Sequence, residues 1–134
     1  MSVRALPDAP GAPRPLGPYS QAVRTGDLVF CAGQIGVDPA TGALVAGGVL
    51  AELDRALDNL TAVLAGAGLG LADVVKVTLF LTDLGAGGAV NARWTERFPA
   101  PPPARSTVQV AALPAGAAVE IDAIAVVRRQ PPRG

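Results

Sequence analysis

Arg105 stands where a proline run, Pro101-Pro102-Pro103, gives way to the alternation of a strand. An arginine at such a boundary is ordinarily a solvated surface residue. The stiff connector favours a fixed side-chain position, however, and a planar guanidinium is the best fork available for a carboxylate. Glu120 and Asp122 interrupt the apolar run Val119 to Val127 two residues apart, hence on one face of a strand. They mark either a wet stretch of that face or a desolvated carboxylate able to bind or activate water. Tyr19, within Gly17-Pro18-Tyr19-Ser20-Gln21, reads simply as a packed tyrosine after a turn. Asn91 reads as a surface amide on a helix, and Cys31 as a small buried hydrophobe.

Missing residue types narrow the chemistry further. The chain has no histidine and one cysteine. Ser-His-Asp and Cys-His sets, an imidazole base, and histidine or thiolate metal sites are therefore excluded. Whatever reaction occurs must use Arg, Glu, Asp, Tyr, Ser, Thr, backbone groups and water. Eleven basic side chains balance eleven acidic ones, and the pI is near 6.1. Nucleic acid and anionic membranes are not expected as partners, because both select an excess of positive charge. Met1 to Ser20 carries five prolines and no apolar run suited to secretion, and no long apolar span follows. A cytoplasmic protein is the expectation, and a lone Cys31 agrees with a reducing compartment.

The elements that must position these residues follow from periodicity. The 134 residues are expected to form one domain, with residues 1–16 an irregular, proline-rich lead-in and 130–134 a loose tail. Strands are predicted over 20–25 and 28–35, with Thr25-Gly26-Asp27 as the turn. Leu50, Leu53, Leu57, Leu60, Leu64 and Ala67 advance in steps of three and four, predicting a helix with one apolar stripe. Glu52, Arg55, Asp58 and Asn59 fall on its other faces. Asn59-Leu60-Thr61 fits a glycosylation pattern but sits inside this helix and is read as chance. Gly66 and Gly68 follow a helix and precede a strand, which suits helix termination rather than a phosphate loop.

Asp73 to Thr82 predicts a strand with Val75, Val77, Leu79 and Leu81 on one face. A second helix over 87–98 is marked by Val90, Trp94 and Phe98, and strands near 105–111 and 118–128 close the chain. The order β-β-α-β-α-β-β is an α+β sheet with two helices, enough to cover one face. Since the last strand is apolar on both sides, the bare face should be buried against other subunits, and a closed ring would satisfy it.

Taken together, these segments resemble the Rid (reactive intermediate deaminase, YjgF-like) family. The resemblance rests on Gly17-Pro18-Tyr19-Ser20-Gln21, Ala32-Gly33-Gln34-Ile35, Asp38-Pro39-Ala40-Thr41-Gly42, Leu57-Asp58-Asn59-Leu60 and Val75-Lys76-Val77-Thr78. Leu81-Thr82-Asp83-Leu84, Val90-Asn91, Pro103-Ala104-Arg105-Ser106 and Val119-Glu120-Ile121-Asp122-Ala123 continue it in order, over about residues 14–129. It implies a chorismate-mutase-like fold, a homotrimer with three sites at subunit interfaces, and no metal or organic cofactor. The implied activity is hydrolysis of enamine/imine intermediates such as 2-iminobutanoate and 2-iminopropanoate to 2-oxo acids and ammonia.

By the same resemblance Arg105 binds the substrate carboxylate and Glu120 positions the attacking water. Tyr19, Ala32, Gly33, Asn91 and Thr107 line the pocket. Deaminating members commonly carry serine at the Ala32 position and cysteine at the Thr107 position, and a longer connector before Arg105. A lost substrate hydrogen bond costs on the order of 1 kcal/mol, about tenfold in efficiency. Three other readings remain open. The chain is a non-catalytic binder of 2-oxo acids, an imine hydrolase with a bulkier pathway-specific substrate, or an endoribonuclease. Neutral charge and absent histidine oppose the last.

Overall fold

In the computed structural model, which describes residues 2–128, the leucine stripe forms α1 (Val49–Gly66). Leu53, Leu57, Leu60 and Leu64 are fully buried, each contributing about 2 kcal/mol by leaving water. The helix ends as the glycines predict, with Gly68 in the left-handed region at φ 75°.

Strands β1 (Val3–Ala5), β2 (Ala22–Thr25), β3 (Leu28–Ile35), β4 (Val74–Leu81), β5 (Ala104–Gln109) and β6 (Val119–Val126) form one sheet. Its order is β1-β2-β3-β6-β4-β5, antiparallel except where β5 runs parallel to β4. The second helix, α2 (Gly87–Arg97), makes the crossover between that parallel pair. Both helices pack on the same face. Val90 and Trp94 of α2 join the α1 leucines, Val29, Val77, Leu79 and Ile121 in one core. The α+β class and the order of the main elements are therefore as expected.

Three details depart from the sequence reading. The irregular lead-in contains β1, which pairs with β2. The remainder of the lead-in is pinned by buried Gln21. Its Oε1 accepts from the Ala9 N–H at 2.8 Å, and its Nε2 donates to the Pro13 carbonyl at 2.8 Å. The β4 alternation is broken by a bulge between Val74 and Lys76, so Val74 is buried and Val75 exposed, opposite to expectation.

On α1, Glu52 and Asn59 are buried rather than solvent-facing. Glu52 accepts from the Ala118 N–H at 2.8 Å. Asn59 donates to the Ile35 and Val37 carbonyls at 3.1 and 2.9 Å, which places it far from any glycosylation role. These carboxylate and amide groups close loops against the helix; leaving one such buried acceptor unpaired costs about 1–3 kcal/mol. The expected loose tail, 130–134, lies outside the described residues.

Among the described residues, the opposite sheet face has no helix. Leu28 on β3, cross-strand from Val126, is 40% exposed, and Phe30, cross-strand from Ile124, is 41% exposed. Val108 on β5, beside Phe80, is 40% exposed. A single chain thus leaves apolar side chains in water at both ends of this face, with Lys76, Thr78, Asp122 and Ser106 between them.

Candidate active site

Arg105 is the second residue of β5, one residue beyond the proline connector, and its β4 neighbour is Val77, a core residue of the helix-covered face. The side chain consequently turns toward α2. Its Nη2 donates to Asn91 Oδ1 at 2.5 Å, and the guanidinium carbon lies 5.0 Å from the centroid of the Trp94 ring. Trp94 is itself stacked on Phe98, with ring centroids 4.5 Å apart. A cation over an indole face is held by the ring quadrupole. One hydrogen bond to Asn91 leaves other N–H groups of the guanidinium free for a bidentate anion.

Helix α2 is clamped to α1 by Arg97, which bonds Asp58 Oδ1 at 2.7 Å, and by Arg93, paired with Asp54. The cleft in front of Arg105 has a volume of about 540 Å³, with Asn91, Trp94, Phe98 and the proline connector as walls. Thr107 points to the same face two residues on, opposite Leu79.

Glu120 belongs elsewhere. Its β4 partner is Phe80, on the open face, whereas Arg105 pairs with Val77. Phe80 lies three positions after Val77 on an unbulged stretch of strand, so the two side chains leave opposite faces of the sheet. Burial first, then neighbouring Asp122, raises the Glu120 carboxyl above its ordinary value of 4.5. Asp122 is held by the Thr78 N–H at 3.0 Å.

Gly33 packs against Glu120. A Cβ there would lie 2.2 Å from Glu120 Oε1, so a side chain at this position would displace the carboxylate. The β3 register shifts between Cys31 and Gln34, which brings Gly33 to that position. Tyr19 is 49% exposed, its hydroxyl accepting from the Leu16 N–H at 3.0 Å, and it lines a small cleft with Gly33. Ala32 precedes Gly33 on β3, its N–H donating to the Gln21 carbonyl at 2.9 Å. Cys31 is buried, which pushes its thiol up to about 11 and leaves no thiolate for nucleophilic work.

The residues singled out in the sequence therefore fall into two groups. Arg105 and Asn91 meet through a hydrogen bond, with Thr107 on the same sheet face. Glu120 and Gly33 form a second group, with Tyr19 in the adjoining cleft. Within one protomer the two do not share a site. In the sequence Trp94 stands out only as one of the positions that mark α2. Its spacing three residues after Asn91 on a helix carried the signal that both face Arg105.

The site thus combines an arginine set over an indole on one face of an α+β sheet with a half-buried carboxylate on the other. Comparison with known proteins makes the assignment specific. A family model described as Endoribonuclease L-PSP matches residues 10–127. Protein DfrA of Myxococcus xanthus is 54% identical, covering 86% of this chain and 89% of its own. The mouse 2-iminobutanoate/2-iminopropanoate deaminase is 45% identical, covering 92% of each chain. The crystal structure of RidA from a Psychrobacter species superposes with a TM-score of 0.88 at 40% identity, covering 92% of this chain and all of that one. The chain belongs to the Endoribonuclease L-PSP family, the YjgF/Rid proteins.

Proposed function

We propose that this protein is a 2-imino acid deaminase, acting on 2-iminobutanoate- and 2-iminopropanoate-like substrates in a site assembled from two copies of the chain. The separation of Arg105 and Glu120 onto opposite sheet faces carries the second half of this reading. A carboxylate gripped by Arg105 must then meet Glu120 of a neighbouring copy, and the bare apolar face supplies the surface on which copies associate. A homotrimer closes such heterologous contacts into a ring without leaving an exposed end. Assignment of the reaction rests on family membership and on the relatives named as deaminases.

The chemistry suits the side chains available. A protonated imine is already electrophilic, so water suffices as nucleophile. Arg105 holds the carboxylate and fixes the C=N carbon, turning an intermolecular encounter into a local one. Glu120, as carboxylate, accepts a proton as water adds to that carbon. The C–O bond of a carbinolamine forms; its nitrogen takes that proton back from Glu120, the C–N bond breaks as the hydroxyl gives its own proton to the Glu120 carboxylate and the C=O bond forms, and ammonia leaves a 2-oxo acid. Asn91 and Trp94 keep the guanidinium in place, while Tyr19, Gly33, Ala32 and Thr107 shape the walls. Neither the zero net charge nor the missing histidines favours ribonuclease chemistry, despite the description of the family.

The test generates imines in situ from alanine and 2-aminobutanoate with an amino-acid oxidase and follows their loss. Wild-type protein should accelerate hydrolysis, and Arg105→Ala should lower kcat/KM about 100-fold, the worth of a lost charge-assisted pair. Equal rates with and without the arginine would refute the mechanism. Retention of 2-oxobutanoate binding without turnover would instead make the protein a binder.

A further inference from the structure

We infer that Gln21 is a positioning residue for the carboxylate half of the site, fixing Tyr19 and the Ala32-Gly33 backbone against Glu120. This rests on the deaminase reading and adds to it a residue that touches no substrate. Gln21 is buried, and both ends of its side-chain amide engage the lead-in. The Ala9 N–H donates to Oε1, and Nε2 donates to the Pro13 carbonyl, each at 2.8 Å. Its own carbonyl accepts from the Ala32 N–H at 2.9 Å. One residue thus joins the loop before Tyr19 to the strand that carries Gly33.

From Pro7 to Pro18, five prolines remove backbone donors from the lead-in. Side chains supply the ties instead: Gln21 takes the Ala9 N–H, and the Tyr19 hydroxyl takes the Leu16 N–H at 3.0 Å. Ala9 and Ala12 are seated in the core, so packing holds that end of the loop and Gln21 holds Pro13. An amide suits this place, since one neighbour donates and the other accepts. Beyond Ala32 there is no slack, because Gly33 leaves no room even for a methyl beside Glu120 Oε1. A shift of the Gln21–Ala32 contact therefore reaches the Glu120 carboxylate, whereas Arg105, Asn91 and Trp94 belong to the other group.

Gln21→Met keeps the length and loses both lead-in bonds; Gln21→Glu keeps an acceptor for Ala9 and sets an oxygen against the Pro13 carbonyl. With imines made from alanine and 2-aminobutanoate by an amino-acid oxidase, both should lower kcat about tenfold while KM changes less than about twofold. Val74→Ala truncates the core at the start of β4, whereas Glu120 pairs near its end. It should lose thermal stability but keep kcat within about twofold of wild type. The chain has one tyrosine and one tryptophan, so their ring NMR signals report the two halves separately. In the Gln21 variants the Tyr19 signal should shift or broaden and the Trp94 signal should stay. Wild-type kcat in a folded Gln21 variant overturns the inference, as does an unmoved Tyr19 signal or an equal kcat loss in Val74→Ala. Loss of the fold in both Gln21 variants would make the residue structural only, which overturns it too. If wild-type protein hydrolyses no imine faster than buffer, the deaminase reading falls, and the Tyr19 and Trp94 signals then decide whether Gln21 holds this group.

Discussion

The two faces of the sheet hold the two halves of the proposed site in very different states of completion. On the helix-covered face, the cation is finished within a single chain. Arg105 is fixed by Asn91 at 2.5 Å and by the Trp94 ring, itself seated in the core. On the open face, Glu120 sits in a sheet surface that also exposes Leu28, Phe30 and Val108. The cation needs a fixed direction, which intrachain packing provides. Desolvation raises the carboxylate's affinity for a proton, which the proposed role as a base uses, and a second copy covering the open face would deepen the burial that already raises it.

The most decisive way to break this comparison is to mix the two halves. Arg105→Ala and Glu120→Ala homo-oligomers should each be inactive, and co-refolding them should recover a sizeable fraction of activity. Some interfaces in the mixture would pair the intact Glu120 of one chain with the intact Arg105 of another. No recovery would place both residues in one chain's site.

Next in size, Phe30→Asp puts a charge on the apolar open face. It should shift the protein to monomers in sedimentation and lower kcat/KM about 100-fold, while near-native circular dichroism reports an intact fold. A fully active monomer would end the composite-site reading.

Gly33→Ala tests the carboxylate half alone. The added methyl must displace the Glu120 carboxylate, a movable group, rather than backbone. Stability should change by less than about 1 kcal/mol, while kcat falls about tenfold with KM little altered.

The smallest effect concerns pH. Because the folded-state pKa of Glu120 lies above its ordinary 4.5, the acid limb of the kcat profile should lie above that value. The sign for stability is opposite to that of a salt-bridged carboxylate. Protonated Glu120 favours folding, fully below the unfolded pKa, and this contribution is lost as pH rises through the folded one. Asp122→Asn removes the lesser cause of the shift and should move the acid limb downward. An unmoved limb would assign it to another group.

Much of the architecture was legible in advance. The leucine stripe of α1, the Val90-Trp94-Phe98 spacing of α2 and the alternation of β6 each encode a local period that folding preserves. Strand β1 was hidden because three residues among prolines carry no periodic signal. The bulge at Val75 was hidden because register depends on pairing with β6, not on β4 itself. Glu52 and Asn59 looked exposed because polar type ordinarily means solvent; here each meets backbone groups distant in sequence. The candidate site was legible as residue types, and the link from Asn91 to Arg105 was present only as separate segments.

By itself, the sequence determined the kinds of chemistry open to this protein, through its absent histidines and balanced charge, and the periods that build its strands and helices. Tertiary structure alone decided that Arg105 and Glu120 face away from each other. That outcome depends on β5 lying parallel beside β4 while β6 lies antiparallel on its other side. Which residues stand opposite one another is set by such long-range pairing, and a shift of one residue would have reversed the face of each.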